Sequence, residues 1–122
     1  IMEKVIEKSL LYDFYGELLT DKQKEIYEDY FFNDLTLSEI AEAAGISRQG
    51  VHDSIKRSNL QLEKYEEKLH LVERFRISKE ALYQINEELD QIKVEEDNIN
   101  IDNVMERINS IKKITNNIIK NL

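Results

Sequence analysis

The sequence predicts an all-α protein of five or six helices, and three observations carry that expectation. Proline is absent and glycine occurs three times in 122 residues, so the two strongest helix breakers are scarce. Apolar side chains recur at three- and four-residue steps through most of the chain. Helix-start signals stand where those ladders begin, and a glycine stands where one of them ends. A chain of this length buries roughly two-thirds of its unfolded surface, enough for one domain, or a small domain with a helical appendage, without covalent staples.

The elements follow in order. Val5, Ile6, Leu10, Leu11, Phe14, Tyr15 and Leu18 mark a first helix from Met2 to Leu19. Thr20 stands three residues before Gln23, a capping box in which two orphan amides are satisfied reciprocally. It opens a second helix from Asp21 to about Phe32 that should bury Ile26, Tyr27, Tyr30 and Phe31. Asn33-Asp34 signals a turn, and Thr36 with Glu39 reads as a second capping box before a short helix through Ala44. Gly45 ends that helix and Ser47 caps the next. From there Val51, Ile55, Leu62, Tyr65, Leu69 and Val72, then Phe75, Leu82, Ile85, Leu89 and Ile92, form a ladder that loses phase near His70-Leu71 and near Ile77-Ser78. A break is expected at one of the two. Glu95 to Asn100 is polar and reads as a loop. Asn100 or Asp102 caps a last helix that should bury Ile101, Val104, Met105, Ile108, Ile111, Ile114, Ile118 and Leu122.

Composition removes several functions. There is no cysteine, so disulfides and thiolate metal sites are excluded. The two histidines, His52 and His70, are 18 residues apart, about 27 Å along a helix and too far for one metal ion. Asn98, Asn100 and Asp102 alternate like the start of a calcium loop, but Asn103 and Asn109 stand where that loop needs Gly and Glu, so a capping role fits better. Asp13 and Glu17 share a helix face without any catalytic partner. Neither a phosphate-binding glycine loop nor a nucleophile constellation is present, so neither enzyme activity nor a cofactor is expected. No apolar run approaches the ~18 residues of a membrane span, and the charged start at Glu3 and Lys4 is unlike a signal peptide. The expectation is a cytoplasmic protein.

The segment from Leu35 to Arg57, LTLSEIAEAAGISRQGVHDSIKR, carries the most information. Ile40 and Ala44 share a face, Ala41 is small enough for a close crossing, Gly45 tolerates the turn, and Ile46 plugs it. Val51 and Ile55 then pack the following helix back on the one before. This is the pattern of a helix-turn-helix. Ser47, Arg48, Gln49, His52, Lys56 and Arg57 are left outward, together with Asp53, on the face that enters a major groove in such motifs. Arg48 suits base edges, and Lys56 and Arg57 suit phosphates. Asp53 would repel phosphate. Gly50 lies inside the helix at a cost of roughly 1 kcal/mol relative to Ala; it permits close approach to DNA or a packed neighbour, or is merely tolerated.

Charge agrees in part. The chain carries a net charge of -8, yet residues 47–76 hold 7 Lys/Arg against 5 Asp/Glu, while residues 1–46 hold 4 against 11 and residues 77–122 hold 6 against 9. Only the segment opened by the motif is positive. The aromatic cluster Tyr12, Phe14, Tyr15, Tyr27, Tyr30, Phe31 and Phe32 could stack nucleotides, but its helical spacing fits a core better.

Leu19 to Leu69 resembles region four of bacterial sigma factors, with its "LT-x-x-Q" opening, "LSEIAE" and "GISR". The first three-quarters of the chain more closely resembles the YlxM family of helix-turn-helix proteins, through "YDFYGELLTDKQ", "YEDYFFNDLTLSEIAE", "ISRQGVHDSIKR" and "LEKYEEKLHLVERF". Beyond Ile77 no family motif is recognisable. The resemblance implies a small cytoplasmic protein linked to the signal recognition particle pathway, as a regulator. Residues 1–69 are then a sigma-like helix-turn-helix domain, and residues 70–122 a helical region for dimerisation or interaction. The expected partners are DNA, components of the signal recognition particle, and a second copy of the chain. The leading function is a DNA-binding regulatory protein. The alternatives are a non-DNA-binding accessory of the particle's protein or RNA, and a structural helical adaptor.

Overall fold

The computed structural model describes residues 2–92, 94–95 and 98–121. Six α-helices occur among them: α1 Met2–Tyr15, α2 Asp21–Phe31, α3 Leu37–Ala44, α4 Arg48–Leu69, α5 Leu71–Asp90 and α6 Ile101–Lys120. A 3-10 turn, Gly16–Leu18, follows α1, and two short strands, β1 Val94–Glu95 and β2 Asn98–Ile99, lie between α5 and α6. The chain divides into two compact units, Ile1–Val72 and Glu73–Leu122.

The first unit is built on α4, whose buried residues Val51, Ile55, Ser58 and Leu62 step by four, three and four residues along one face. One end of that face meets Ile26, Ile40 and Ala41; the other meets Leu11, Tyr15, Leu19, Tyr27 and Val72. Tyr12 stacks flat on Tyr27, with ring centroids 4.9 Å apart. The first helix is shorter than its ladder suggests. The backbone tightens at Gly16, where an added Cβ would lie 2.9 Å from the Tyr12 ring. Tyr15 and Tyr27 are buried as a core reading requires, whereas Phe14, Tyr30 and Phe32 are exposed and Phe31 is half-buried. Tyr30 was expected inside; the ring stands edge-on to Phe31, outside the second lobe.

Helix boundaries follow local chemistry closely. Thr20 and Gln23 form both bonds of a capping box, and the Gln23 amide also donates to Gln61 Oε1 at 2.7 Å, tying the start of α2 to α4. At Thr36 only half of the expected box forms. The hydroxyl accepts from the Glu39 amide, but the Glu39 carboxylate takes the hydroxyl proton instead of reaching the Thr36 backbone.

The break in the long ladder falls at His70, which adopts a left-handed conformation with φ 56°. Tertiary partners explain the choice. The Tyr15 hydroxyl donates to Glu66 Oε1 at 2.5 Å and accepts from the Leu71 amide at 3.1 Å, while the same Glu66 oxygen accepts from the Val72 amide at 2.9 Å. Two orphan amides at the start of α5 are thereby satisfied. Near Ser78 the helix runs on unbroken.

In the second unit Val94 pairs with Ile99 and Glu95 with Asn98, so a short antiparallel ladder stands at the expected loop. Asn100, not Asp102, caps α6 by accepting from the Asn103 amide. The expected burial of the α6 stripe is not found. Val104, Ile108, Ile111, Ile114 and Ile118 are half-buried, Met105 and Ile101 are exposed, and no described residue of α6 is buried. Within this unit α6 packs on α5, with Arg107 3.1 Å from Glu88. Glu96, Asp97 and Leu122, on which expectations also fell, lie outside the described residues.

Candidate nucleic-acid interface

The α3–α4 corner is set by residues that each meet a backbone need. Gly45 takes a left-handed conformation, φ 69°. The Ile46 amide reaches back to the Ala41 carbonyl at 3.1 Å, as in a Schellman stop, and the Ile46 side chain packs on the second lobe of the core. The Ser47 hydroxyl then caps α4 by accepting from the Gly50 amide at 3.0 Å. A Cβ on Gly50 would stand 3.2 Å from that hydroxyl and 3.5 Å from Ile46 Cδ1, so this glycine makes room for the chain's own turn. Val51 and Ile55 are buried against Ile40 and Ala41.

The face of α4 beside this buried stripe is open. Ser47, Arg48, Gln49, His52, Lys56 and Arg57 are all exposed. Their spacing does not bring all of them together. At about 100° per residue, Arg48, Gln49, His52 and Lys56 share a strip roughly 100° wide, whereas Arg57 stands about half a turn from Arg48. Arg57 instead lines a side groove with Thr20, Gln23, Asp53 and Gln61. Within the strip the Gln49 amide donates to Asp53 at 3.1 Å, and the His52 ring nitrogen is 4.0 Å from the same carboxylate oxygen. Arg48 reaches Ser38 Oγ at 3.5 Å, at the limit of a hydrogen bond. The first turn of α4 carries no acid, so its positive dipole end is uncompensated and favours an anion.

The motif also has a neighbour that spacing did not reveal. His52 and Lys56 line an open groove of about 480 Å³ with Lys8, Tyr30, Leu37 and Leu60. Lys8 stands 5.2 Å from the centroid of the Phe31 ring. It comes from α1, some 48 positions before Lys56, and no local signal links the two; the packing of α1 on α4 does. The charged side chains lining this groove are all basic. Among the described residues no cluster of three or more His, Asp or Glu side chains is placed to hold a metal ion.

Residues 2–104 match the family model of UPF0122, described as "Putative helix-turn-helix protein, YlxM / p13 like". The chain belongs to this family. UPF0122 relatives include a protein of Malacoplasma penetrans, 55% identical over 86 residues that cover 69% of this chain and 80% of that one. The UPF0122 protein YlxM of Bacillus subtilis is 45% identical over 86 residues, 70% of this chain and 78% of its own. A UPF0122 protein of Acetivibrio thermocellus is 43% identical over 107 residues, 88% of this chain and 92% of that one. The UPF0122 match runs past Ile77 through α5 and into α6, beyond the last of the short motifs. No helix among the described residues is long and apolar enough to cross a membrane.

Proposed function

We propose that this chain is a DNA-binding regulatory protein of the cytoplasm that presents the exposed strip of α4 to a major groove. One observation carries the reading. Arg48, Gln49, His52 and Lys56 are open to solvent along one strip of α4, while Val51 and Ile55 of the same helix are clamped by α3. In this reading Arg48 and Gln49, near the helix start, read base edges, and Ser47, Lys56 and Arg57 hold flanking phosphates. Lys8 adds a phosphate contact beside Lys56. Binding is salt-dependent, because each cation releases condensed counterions. The protein acts by binding, not by catalysis.

A second reading is favoured by Asp53. Its carboxylate engages Gln49 and repels phosphate at the edge of the strip. A chain using the motif as a scaffold would bind the protein or RNA of the signal recognition particle, a pathway linked to this chain by family resemblance alone.

Sequencing the nucleic acid that co-purifies with the full chain separates the two. The first reading expects duplex DNA sharing a site, with recovery falling at least tenfold when Arg48→Ala and Lys56→Ala are combined. Recovery of the particle's RNA or protein without DNA supports the second. Recovery of nothing, or DNA binding unchanged in the double variant, removes the assignment of the reading helix.

A further inference from the structure

The groove beside the exposed strip of α4 has features that a DNA contact does not use. Four helices of the first unit build it: α1 brings Lys8, α2 Tyr30 and Phe31, α3 Leu37, and α4 His52, Lys56 and Leu60. The last three repeat every four residues, so the strip that opens at Arg48 turns apolar at Leu60. Leu60 is 51% exposed and Tyr30 40%, and half-buried Leu37 lines the same groove. Its volume of about 480 Å³ falls within the ~300–1,000 Å³ of ligand sites.

The groove also reverses the sign of its surroundings. Lys8, His52 and Lys56 line it and no described acid does, in a chain of net charge -8 whose residues 1–46 hold 4 Lys/Arg against 11 Asp/Glu. Two other grooves of this unit differ. Asp21, Glu25 and Asp29 line one together with Lys22, and Asp53 joins Arg57 in the other.

We infer that this groove docks an acidic segment of a partner protein, one that carries a large apolar side chain among its Asp and Glu residues. The apolar side chain packs on Leu37 and Leu60, and the carboxylates meet Lys56, His52 and Lys8. Lys8 lies 5.2 Å from the centroid of the Phe31 ring, which holds its ammonium in place and leaves N–H donors for a carboxylate. Single-stranded nucleic acid, the other anionic occupant, needs free ring faces for its bases. Here Phe31 is crowded by Lys8, by the Tyr27 ring at 4.5 Å and by Tyr30 edge-on at 5.0 Å, and Leu37 and Leu60 offer bases no flat face. A segment in the groove covers His52 and Lys56, so it excludes a duplex from them. The docking itself needs no DNA and stands apart from the proposed function.

Selection of a displayed library of random peptides of about 16 residues on the immobilised full chain tests it. Enriched peptides should combine Asp or Glu with Leu, Ile, Phe or Trp. A fluorescent copy of the most enriched one should bind the chain in solution. Its binding should weaken about tenfold or more with Lys56→Glu and with Leu60→Ser, both at exposed positions on which the fold does not depend. Charge reversal acts on any anionic ligand, whereas loss of Leu60 acts on one with an apolar anchor. The inference is overturned if no peptide is enriched, if the enriched peptides lack acids or apolar side chains, or if either variant binds as tightly as the unaltered chain. It is also overturned if labelled oligo-dT binds instead and Leu60→Ser leaves that binding unchanged. A dimer in sedimentation that Lys56→Glu dissociates would overturn it too, by seating a second copy in the groove.

Discussion

The two units of this chain are written in the same apolar rhythm and meet different fates. Along α4, residues at four-, three- and four-residue steps are sealed from solvent; along α6, an equally regular ladder from Ile101 to Ile118 buries none of its described members. Helical spacing places side chains on one face, but burial needs a second and third surface to close over it. In the first unit α1, α2 and α3 supply those surfaces. In the second unit, α6 has α5 beside it. Regular spacing therefore predicts where a core can form, and the count of packing partners decides whether it does.

The contrast can be broken by three measurements. The largest effect is expected from Leu62→Ala, which empties a fully buried site and should lower stability by about 3–4 kcal/mol in urea denaturation, while Ile99→Ala, at a 63% exposed position, costs under about 0.5 kcal/mol. Equal costs would erase the distinction between the units.

A second effect comes from the tyrosines. Burial pushes the Tyr27 hydroxyl up to about 12, with Glu63 adding to the shift. Burial and the Glu28 carboxylate raise Tyr12, and burial and Glu66 raise Tyr15. The folded state holds these protons longer than the unfolded chain. Their contribution is thus intact below pH 10 and lost as pH rises above it, roughly 2–3 kcal/mol for Tyr27 between pH 10 and 12. Denaturation followed against pH should show the tyrosine cluster of the first unit weakening in that window; constant stability to pH 12 would contradict the buried placement.

The smallest effect is expected at Ser58, fully buried with a hydroxyl that has no hydrogen-bond partner among the described residues. Ser58→Ala should leave the melting temperature unchanged, or raise stability by up to about 1 kcal/mol. A loss larger than that would reveal a partner for the hydroxyl.

What was legible in the residues was the local chemistry. Thr20 with Gln23, Gly45 and Ser47 set their helix ends through bonds that span five residues or fewer, and the motif they frame followed from them. The outward position of Arg48, Gln49, His52 and Lys56 was readable for the same reason. The break at His70 was one of two choices, because the groups that select it, Tyr15 and Glu66, act through the folded core. Lys8 beside Lys56 had no signal at all, since a helix crossing joins them. The missing half of the Thr36 box shows that even a local pattern leaves side-chain choices open.

The bond from the Leu71 amide to the Tyr15 hydroxyl spans 56 positions. On the ribosome, α1 is therefore made early and must wait. Until residues 66 to 72 clear the exit tunnel, Tyr15 has no Glu66 to receive its proton, and Leu11 lacks the cover of Val72. The first unit closes only when its last residues arrive, so a nascent chain stalled just after Arg57 would already carry the whole helix-turn-helix yet hold it on an unfinished body.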